Sequence, residues 1–260
     1  MTDADLAPIL VCRLECPPEM QADVDGWMPK HFDDSLLDPH VLAAASYATL
    51  RDFRAPEDGG LPAVLNGHGN RFIVYVADSI EGYEDSIDSE AVREATRDGA
   101  DRESRYPPID DEPFNGVVYA PRGIRGGSSD LVGRGPVLVQ RFEVAERLAP
   151  DFDDWFDGRH LDAAFALPGV VRARTWAAHR SYPQRFPYDR YRGKGNRMLL
   201  VELAEGSDLR GAIADERTVS WFEDSIAWDL RLPYVRREAG ECLVIRTSAD
   251  AQDAVGGADD

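Results

Sequence analysis

The sequence predicts an α+β protein built from two fused copies of one βαββαβ unit. This prediction depends on a duplication within the 260 residues and on apolar runs that recur in the same order in both copies. A repeat of this length indicates two small domains, because the units of solenoid proteins are much shorter. The aligned blocks are residues 8–15 with 136–143, Trp27 with Trp155, 39–47 with 168–176, and 67–74 with 193–200.

Six elements are expected in each copy, in the order of the ferredoxin-like unit. Short apolar runs predict the strands, and longer segments of mixed apolar and charged residues predict the helices. The first copy is expected to contain strand 8–15, helix 19–37, strands 41–50 and 71–77, helix 82–104 and strand 115–120. The second copy is expected to contain strand 136–143, helix 147–166, strands 170–178 and 197–204, helix 207–229 and strand 241–247.

Several predicted strands, such as residues 72–76 and 198–201, are continuous apolar runs rather than alternations of apolar and polar residues. Such runs are typical of strands that are buried on both faces. Because two helices cover only one face of a sheet, the other copy is expected to cover the second face. The sequence therefore predicts two sheets packed against each other within one chain.

Composition also divides the chain into domains. The segment proposed as a linker is rich in Gly and Ser, and the C-terminal tail lacks the apolar residues needed to offset the entropy of ordering, so we expect the tail to be disordered. The predicted units are a first domain at 1–120, a linker at 121–134, a second domain at 135–247 and an acidic tail at 248–260.

The formal net charge of −19 argues against nucleic acids and anionic membrane surfaces as partners, because both are repelled at long range. No basic segment followed by an apolar run opens the chain, and no stretch of about eighteen apolar residues occurs. Three cysteines, Cys12, Cys16 and Cys242, are an odd number without metal-pair spacing. We expect a cytoplasmic protein, and whether the fused chain forms a homodimer stays open.

Residues 152–161 (FDDWFDGRHL), followed by residues 167–170 (LPGV), resemble the EthD-like branch of the dimeric α/β-barrel superfamily. That branch shows an aromatic pair, a histidine about one helical turn later, and a Pro-Gly before the second strand. The first copy keeps Trp27, His31 and Pro39, with the Trp-to-His spacing one residue shorter. The resemblance implies that the two copies form an intramolecular dimeric α/β barrel.

The resemblance also implies an apolar pocket between helices and sheet, although members of this superfamily differ in activity. They include cofactor-free monooxygenases, polyketide cyclases, decarboxylases, dehydratases, lactone isomerases, haem-binding branches and non-catalytic regulators. A shared fold does not select among these activities.

His160 is the first candidate catalytic residue, since a neutral imidazole on a helix facing an apolar sheet can move a proton near neutral pH. Asp157 precedes it by three residues and is expected to orient the ring or raise its pKa. The alternative is a histidine that packs or caps the helix, which would also explain His31 in the first copy. His179 follows the second strand of its copy and is expected to reach the pocket mouth.

Arg13 and Arg141 lie within first strands and need partners, because an unpaired buried charge is costly. One interpretation is a pair of Arg–Glu bridges at the seam between copies, formed with Glu15 and Glu143. The other is that an arginine binds a substrate carboxylate or enolate. Arg197 is a further candidate for binding developing negative charge.

The insertion at 179–192 is locally basic and rich in tyrosine, so Tyr182 is expected to close over a substrate, although the loop could equally pack on a partner surface. The other residues expected to line the pockets are Trp155, Trp176 and, in the first copy, Tyr47. The Gly-x-Gly-Asn-Arg block leads into a strand rather than a helix, so a turn is favoured over a phosphate loop.

Histidine spacing indicates no metal triad, and we expect no metal and no cofactor. The predicted function is a cofactor-independent lyase, isomerase or cyclase that uses His160 on a hydrophobic, oxygenated small molecule such as a polyketide, an aromatic compound or a lactone. One alternative is a cofactor-free or haem-linked monooxygenase. Another is a non-catalytic binding protein whose pocket is filled by side chains such as Phe165 and Trp176.

Overall fold

The computed structural model describes residues 7–50, 65–67, 69–86, 89–103, 105–106, 115–127, 130–179 and 194–250. These residues form a closed eight-stranded barrel in the order β1-β3-β2-β8-β5-β7-β6-β4, with every neighbouring pair antiparallel. Helices cover the outside of the barrel. The predicted fold class, an intramolecular α/β barrel of two ferredoxin-like repeats, is confirmed.

The elements follow the predicted order in both copies. The first copy contains β1 (Ile9–Leu14), α1 (Gln21–Ser35), β2 (Val41–Thr49), β3 (Arg71–Ala77), α2 (Ile80–Ser86), α3 (Glu90–Glu103) and β4 (Asn115–Gly126). The second contains β5 (Val137–Glu143), α4 (Ala149–Asp154), a π-helical turn (Trp155–His160), α5 (Leu161–Phe165), β6 (Val170–Ala178), β7 (Arg197–Leu203), α6 (Leu209–Ala214), α7 (Glu216–Asp224), α8 (Ile226–Asp229) and β8 (Tyr234–Thr247). The single helix expected at 207–229 is thus three short helices.

The last strand of each copy closes the barrel by crossing into the sheet of the other copy. Residues 115–119 of β4 pair with β1, and residues 119–126 pair with β6. In β8, residues 234–240 pair with β5, and residues 240–247 pair with β2. The two sheets are therefore joined by hydrogen bonds as well as packed face to face.

This crossing corrects two predicted boundaries. Residues 121–126 were expected to open the linker, but they belong to β4, because pairing with β6 satisfies their backbone hydrogen bonds despite the Gly content. The last strand begins at Tyr234 rather than at residue 241. The division into two domains stays a prediction, and the expected disordered tail lies outside the described residues except for 248–250.

Both faces of the strands are buried, as the apolar runs predicted. Side chains such as Val74, Val139 and Leu200 fill the barrel interior. The outward faces pack against the helices through aromatic residues such as Phe32 in the first copy and Phe156 in the second. Among the described helices, none is both long enough and apolar enough to span a membrane.

Candidate functional site

A π-helical turn positions the candidate histidine of the second copy. Trp155 and His160 are five residues apart, whereas Trp27 and His31 are four apart. The rings nevertheless stack alike, with centroids 4.2 Å apart and planes at 25° in the second copy, and 4.3 Å and 28° in the first. The wider π turn absorbs the extra residue, and such turns are often found at functional sites.

His160 is completely buried in a polar and aromatic environment. Trp221 covers the ring face opposite Trp155, with centroids 5.1 Å apart and planes at 15°. The Nε2 atom lies 2.7 Å from Oε1 of Gln140 on β5. The Nδ1 atom lies 3.6 Å from Oδ2 of Asp224 on α7. One imidazole therefore bridges the barrel wall and the outer helices.

Burial determines the protonation state of this imidazole. Removal from water lowers the pKa of His160 to about 3, against the opposing effect of the nearby Asp224 carboxylate. The charged form is disfavoured because a buried cation loses its hydration. His160 is therefore neutral at physiological pH.

A cleft of about 580 Å³ lies directly outside this histidine, between α5 and α7. Trp221 lines the cleft and separates it from His160, while Asp224 both lines the cleft and faces the ring. The cleft thus reaches His160 through Asp224. The lining residues are Arg159, Ala163, Ala166, Leu167, Glu216, Arg217, Ser220, Trp221 and Asp224.

Asp224 is the residue of this site that sequence reasoning missed. It is 40% exposed, and its carboxylate accepts hydrogen bonds from Trp155 Nε1 at 3.0 Å and from Arg159 Nη2 at 3.0 Å. It lies in a helix with no local motif, so nothing in its sequence neighbourhood points to a site. Gln140 was also missed, although a polar residue in an apolar strand was a usable signal.

Asp157, predicted to orient His160, has other partners. Its carboxylate accepts hydrogen bonds from Thr175 Oγ1 at 2.6 Å and from Arg122 Nε at 2.8 Å. The spacing of three residues aligns side chains on an α-helix, but residues 157–160 lie in the wider π turn, which rotates the two side chains apart. Gln140 and Asp224 occupy the positions expected of an orienting residue.

Arg197 is held in an ion pair that recurs in both copies. It binds the Asp153 carboxylate at 2.7 and 2.9 Å, and Arg71 binds Asp25 at 2.9 to 3.1 Å. Both arginines tie the start of a strand to the first helix of the same copy. This pairing indicates a structural role for Arg197 rather than the expected substrate contact.

The asparagines of the Gly-x-Gly-Asn-Arg blocks also have matching structural roles. Asn70 accepts from the Cys16 amide at 2.8 Å and donates to the Cys16 carbonyl at 2.6 Å. Asn196 makes the same two contacts with Val144, both at 2.8 Å. The asparagine of each block therefore clamps the end of the first strand of its copy.

Arg13 and Arg141 are buried inside the barrel, where both approach one carboxylate. Glu238 on β8 forms an ion pair with Arg13 and lies 3.7 Å from Arg141. Arg141 also donates to the Tyr234 hydroxyl at 2.7 Å. The expected Arg–Glu bridge at the seam is present, but it is centred on Glu238 of the crossing strand rather than on Glu15 and Glu143.

The remaining predicted residues that the structure describes are not among those that line the cleft. Trp176 and Tyr47 are fully buried in the barrel interior, where Tyr47 donates to the Gly133 carbonyl at 3.3 Å. His179 lies after β6, 3.6 Å from Glu84. Phe165, expected to fill a pocket, is 39% exposed. Tyr182 lies outside the described residues.

In the first copy, His31 has a different partner from His160. Its Nε2 atom lies 2.7 Å from the hydroxyl of Tyr75 on β3, and the ring is only partly buried. The aromatic stack is thus duplicated, whereas the polar contacts of the two imidazoles differ. Of the predicted residues that the structure describes, His160 and Trp155 both contact the cleft-lining Asp224, although neither lines the cleft itself.

Solved structures with the same fold cover almost the whole chain. An anthrone oxidase-like protein superposes with a TM-score of 0.63 at 11% identity, covering 94% of this chain and 94% of that one. A candidate monooxygenase from Fusobacterium nucleatum gives 0.59 at 10% identity, covering 93% and 94%. One from Lactobacillus acidophilus gives 0.53 at 10%, covering 94% and 97%.

These likenesses establish the fold and leave the activity open. At 10 to 11% identity, shared architecture carries no residue roles from one protein to another. No protein-family model matches the sequence, and no curated protein matches it significantly. The fold is that of a dimeric α/β barrel in fused, single-chain form, and membership of the EthD-like branch stays a prediction.

Proposed function

We propose that the protein is an enzyme that moves a proton on a small molecule bound in the cleft between α5 and α7. The observation that carries this proposal is the buried, neutral His160, whose Nδ1 atom lies 3.6 Å from the cleft-lining carboxylate of Asp224. A carboxylate and an imidazole placed together in a concave site are a common arrangement for acid–base chemistry.

The walls of the cleft favour a hydrophobic ligand that carries oxygen. Ala163, Ala166, Leu167 and Trp221 supply apolar surface. Arg159 and Arg217 also line the cleft, where they pair with Asp224 and Asp215, and their guanidinium groups are suited to an oxygen that gains negative charge. These residues support a ketone, phenol or lactone as the substrate class.

The proposed reactions are isomerisation, cyclisation, dehydration with loss of water, or decarboxylation with loss of CO₂, all of which proceed by proton transfer without a redox step. Arg159 would stabilise the enolate or phenolate formed when the proton leaves. Its guanidinium already lies 3.0 Å from the Asp224 carboxylate, so base and cation are next to each other in the cleft.

A monooxygenase is the alternative, supported by the descriptions of two neighbours that share the fold. His160 does not fit the role of a haem ligand, because its Nε2 atom faces Gln140 at 2.7 Å and both Trp155 and Trp221 stack on its ring. The alternative that we retain at this cleft is therefore the cofactor-free form.

The proposal is tested by incubating the protein with ketones, phenols and lactones in D₂O under anaerobic conditions. Mass spectrometry should detect deuterium incorporation or product with wild type, and Asp224→Asn should lower the rate by about 100-fold, the usual size of a general base effect. Asp162→Asn is the matched control, because Asp162 also binds an arginine, Arg125, outside the cleft.

Two outcomes would contradict the proposal. Turnover that requires oxygen and is measured as oxygen uptake would favour the monooxygenase. Equal rates for Asp224→Asn and wild type would place the chemistry elsewhere in the molecule.

A further inference from the structure

The two ring nitrogens of His160 face groups of different chemistry. Nε2 faces the side-chain amide of Gln140, and Nδ1 faces the Asp224 carboxylate. A neutral imidazole carries one proton, so one nitrogen donates and the other accepts. Since an amide presents either its oxygen or its NH₂ group, two hydrogen-bond arrangements share the same heavy-atom positions.

In the first arrangement, His160 donates from Nε2 to the amide oxygen of Gln140. The Nδ1 lone pair then faces the negative carboxylate of Asp224, which is repulsive. Within the described residues, neither the buried NH₂ group of Gln140 nor the buried Nδ1 atom has a hydrogen-bond partner. Each buried polar group left unpaired costs about 1–3 kcal/mol.

In the second arrangement, Gln140 donates from its NH₂ group to Nε2. The proton of His160 is then on Nδ1 and points at Asp224, so the electrostatic contact becomes attractive. The exchange moves the amide oxygen of Gln140 to the position without a partner among the described residues, so the number of unpaired amide groups is unchanged. The second arrangement is the more stable one because an N–H bond, rather than a lone pair, faces the Asp224 carboxylate at 3.6 Å.

We infer that Asp224 is the base that contacts the ligand, and that His160 is a positioning residue whose Nδ1–H bond faces the Asp224 carboxylate because Gln140 occupies Nε2. The inference deepens the proposed function and rests on it. Asp224 is 40% exposed in the cleft, whereas His160 is fully buried behind it. A cleft-bound molecule reaches the carboxylate without any movement of the imidazole.

The proton transfer balances without a further reactant. The C–H or O–H bond of the ligand breaks, an O–H bond forms on Asp224, and the electron pair stays on the ligand as an enolate or phenolate beside Arg159. The carboxyl proton of Asp224 exchanges with water, because this side chain is 40% exposed. It then adds to another atom of the ligand in isomerisation, or leaves with a hydroxyl group as water in dehydration. Trp155 Nε1, Arg159 and His160 Nδ1 hold the carboxylate in place throughout.

Comparison of the two copies supports a specialised second half. Cys12 occupies the position aligned with Gln140, so the first copy lacks an amide at that point of its strand. His31 instead contacts the Tyr75 hydroxyl at 2.7 Å. The contact between a strand amide and the imidazole is thus seen in the second copy, where Gln140 takes the place of Cys12.

The tautomer is tested by ¹⁵N NMR of the full chain labelled at histidine, with His160→Asn used to assign the signals. We expect a protonated Nδ1 and an unprotonated Nε2 in wild type. Gln140→Glu should reverse this pattern, because a carboxylate only accepts and would draw the proton to Nε2. An Nε2–H tautomer in wild type would overturn the inference.

The separate roles of Asp224 as base and His160 as positioning residue are tested by deuterium exchange into the ligand. Asp224→Asn should lose about 100-fold in kcat. His160→Asn retains an N–H donor near the position of Nδ1 and should lose only about tenfold, while His160→Leu should lose more. Equal losses in Asp224→Asn and His160→Asn would overturn the positioning role. If no ligand exchanges with wild type, the proposed function fails, and the NMR result still decides the hydrogen-bond arrangement.

Discussion

Trp155 and His160 stack with ring centroids 4.2 Å apart although five residues separate them along the helix. The π-helical turn makes this possible by widening the helix at that point. Trp221 closes the other face of the ring, so the imidazole is enclosed by two indoles. This enclosure determines both the protonation of His160 and its separation from the cleft.

Replacing Trp221 with a smaller residue should expose the imidazole of His160 to water and raise its pKa. Because burial is the main cause of the low pKa of His160, we expect Trp221→Leu to raise that pKa from about 3 towards its ordinary value. NMR titration of the His160 ring signals measures the change. Trp228→Leu is the control, since Trp228 packs on Trp155 rather than on His160. An unchanged pKa in Trp221→Leu would show that Trp221 does not keep water from the ring.

The low pKa of His160 also predicts a pH dependence of stability. The unfolded chain binds a proton at this residue below a pH of about 6.5, whereas the folded chain does so only near pH 3. Stability is therefore fully present above pH 6.5 and falls by at most about 1.4 kcal/mol per pH unit below it. Urea unfolding at pH 7 and pH 5 checks this, and the fall should be smaller in His160→Gln. The same fall in both proteins would assign it to other groups.

Because Asn70 and Asn196 make matching contacts, we expect their replacement to reduce stability by similar amounts in the two copies. Asn70→Ala and Asn196→Ala each leave a backbone N–H and C=O near the strand end without their partner. We expect each to reduce the free energy of unfolding by about 2–3 kcal/mol, because buried groups are left unpaired. Denaturant unfolding of the single and double variants measures this, and the two losses should add. A loss confined to one variant would contradict equivalent roles.

Among substitutions outside the candidate site, we expect the replacement of Glu238 to cause the largest loss of stability. Replacing it with Gln leaves the charges of Arg13 and Arg141 without their shared carboxylate in the barrel interior. Breaking a buried ion pair in this way costs about 3–5 kcal/mol. The control is Glu241→Gln, an exposed position on the same strand, which should change little. Similar melting temperatures for both variants would show that the arginines find other partners.

Much of the fold was predictable because it depends on local patterns repeated along the chain. The aligned apolar runs predicted strands buried on both faces, and the Gly-x-Gly-Asn-Arg blocks predicted turns. The crossing of β4 and β8 was not predictable in the same way. Residues 121–126 have the composition of a linker, and only pairing with β6 makes them a strand.

The features of the candidate site were likewise only partly predictable from the sequence. The sequence alone determined the duplication, the aromatic–histidine motif and the presence of His160 on a helix, since these features are visible in residue order. Only the tertiary structure decided that Gln140 and Asp224 face the two ring nitrogens and that Asp157 turns away. Gln140 and Asp224 are 84 residues apart in sequence, and contacts between such distant positions arise from the packing of α7 and β5 around one imidazole rather than from any local spacing.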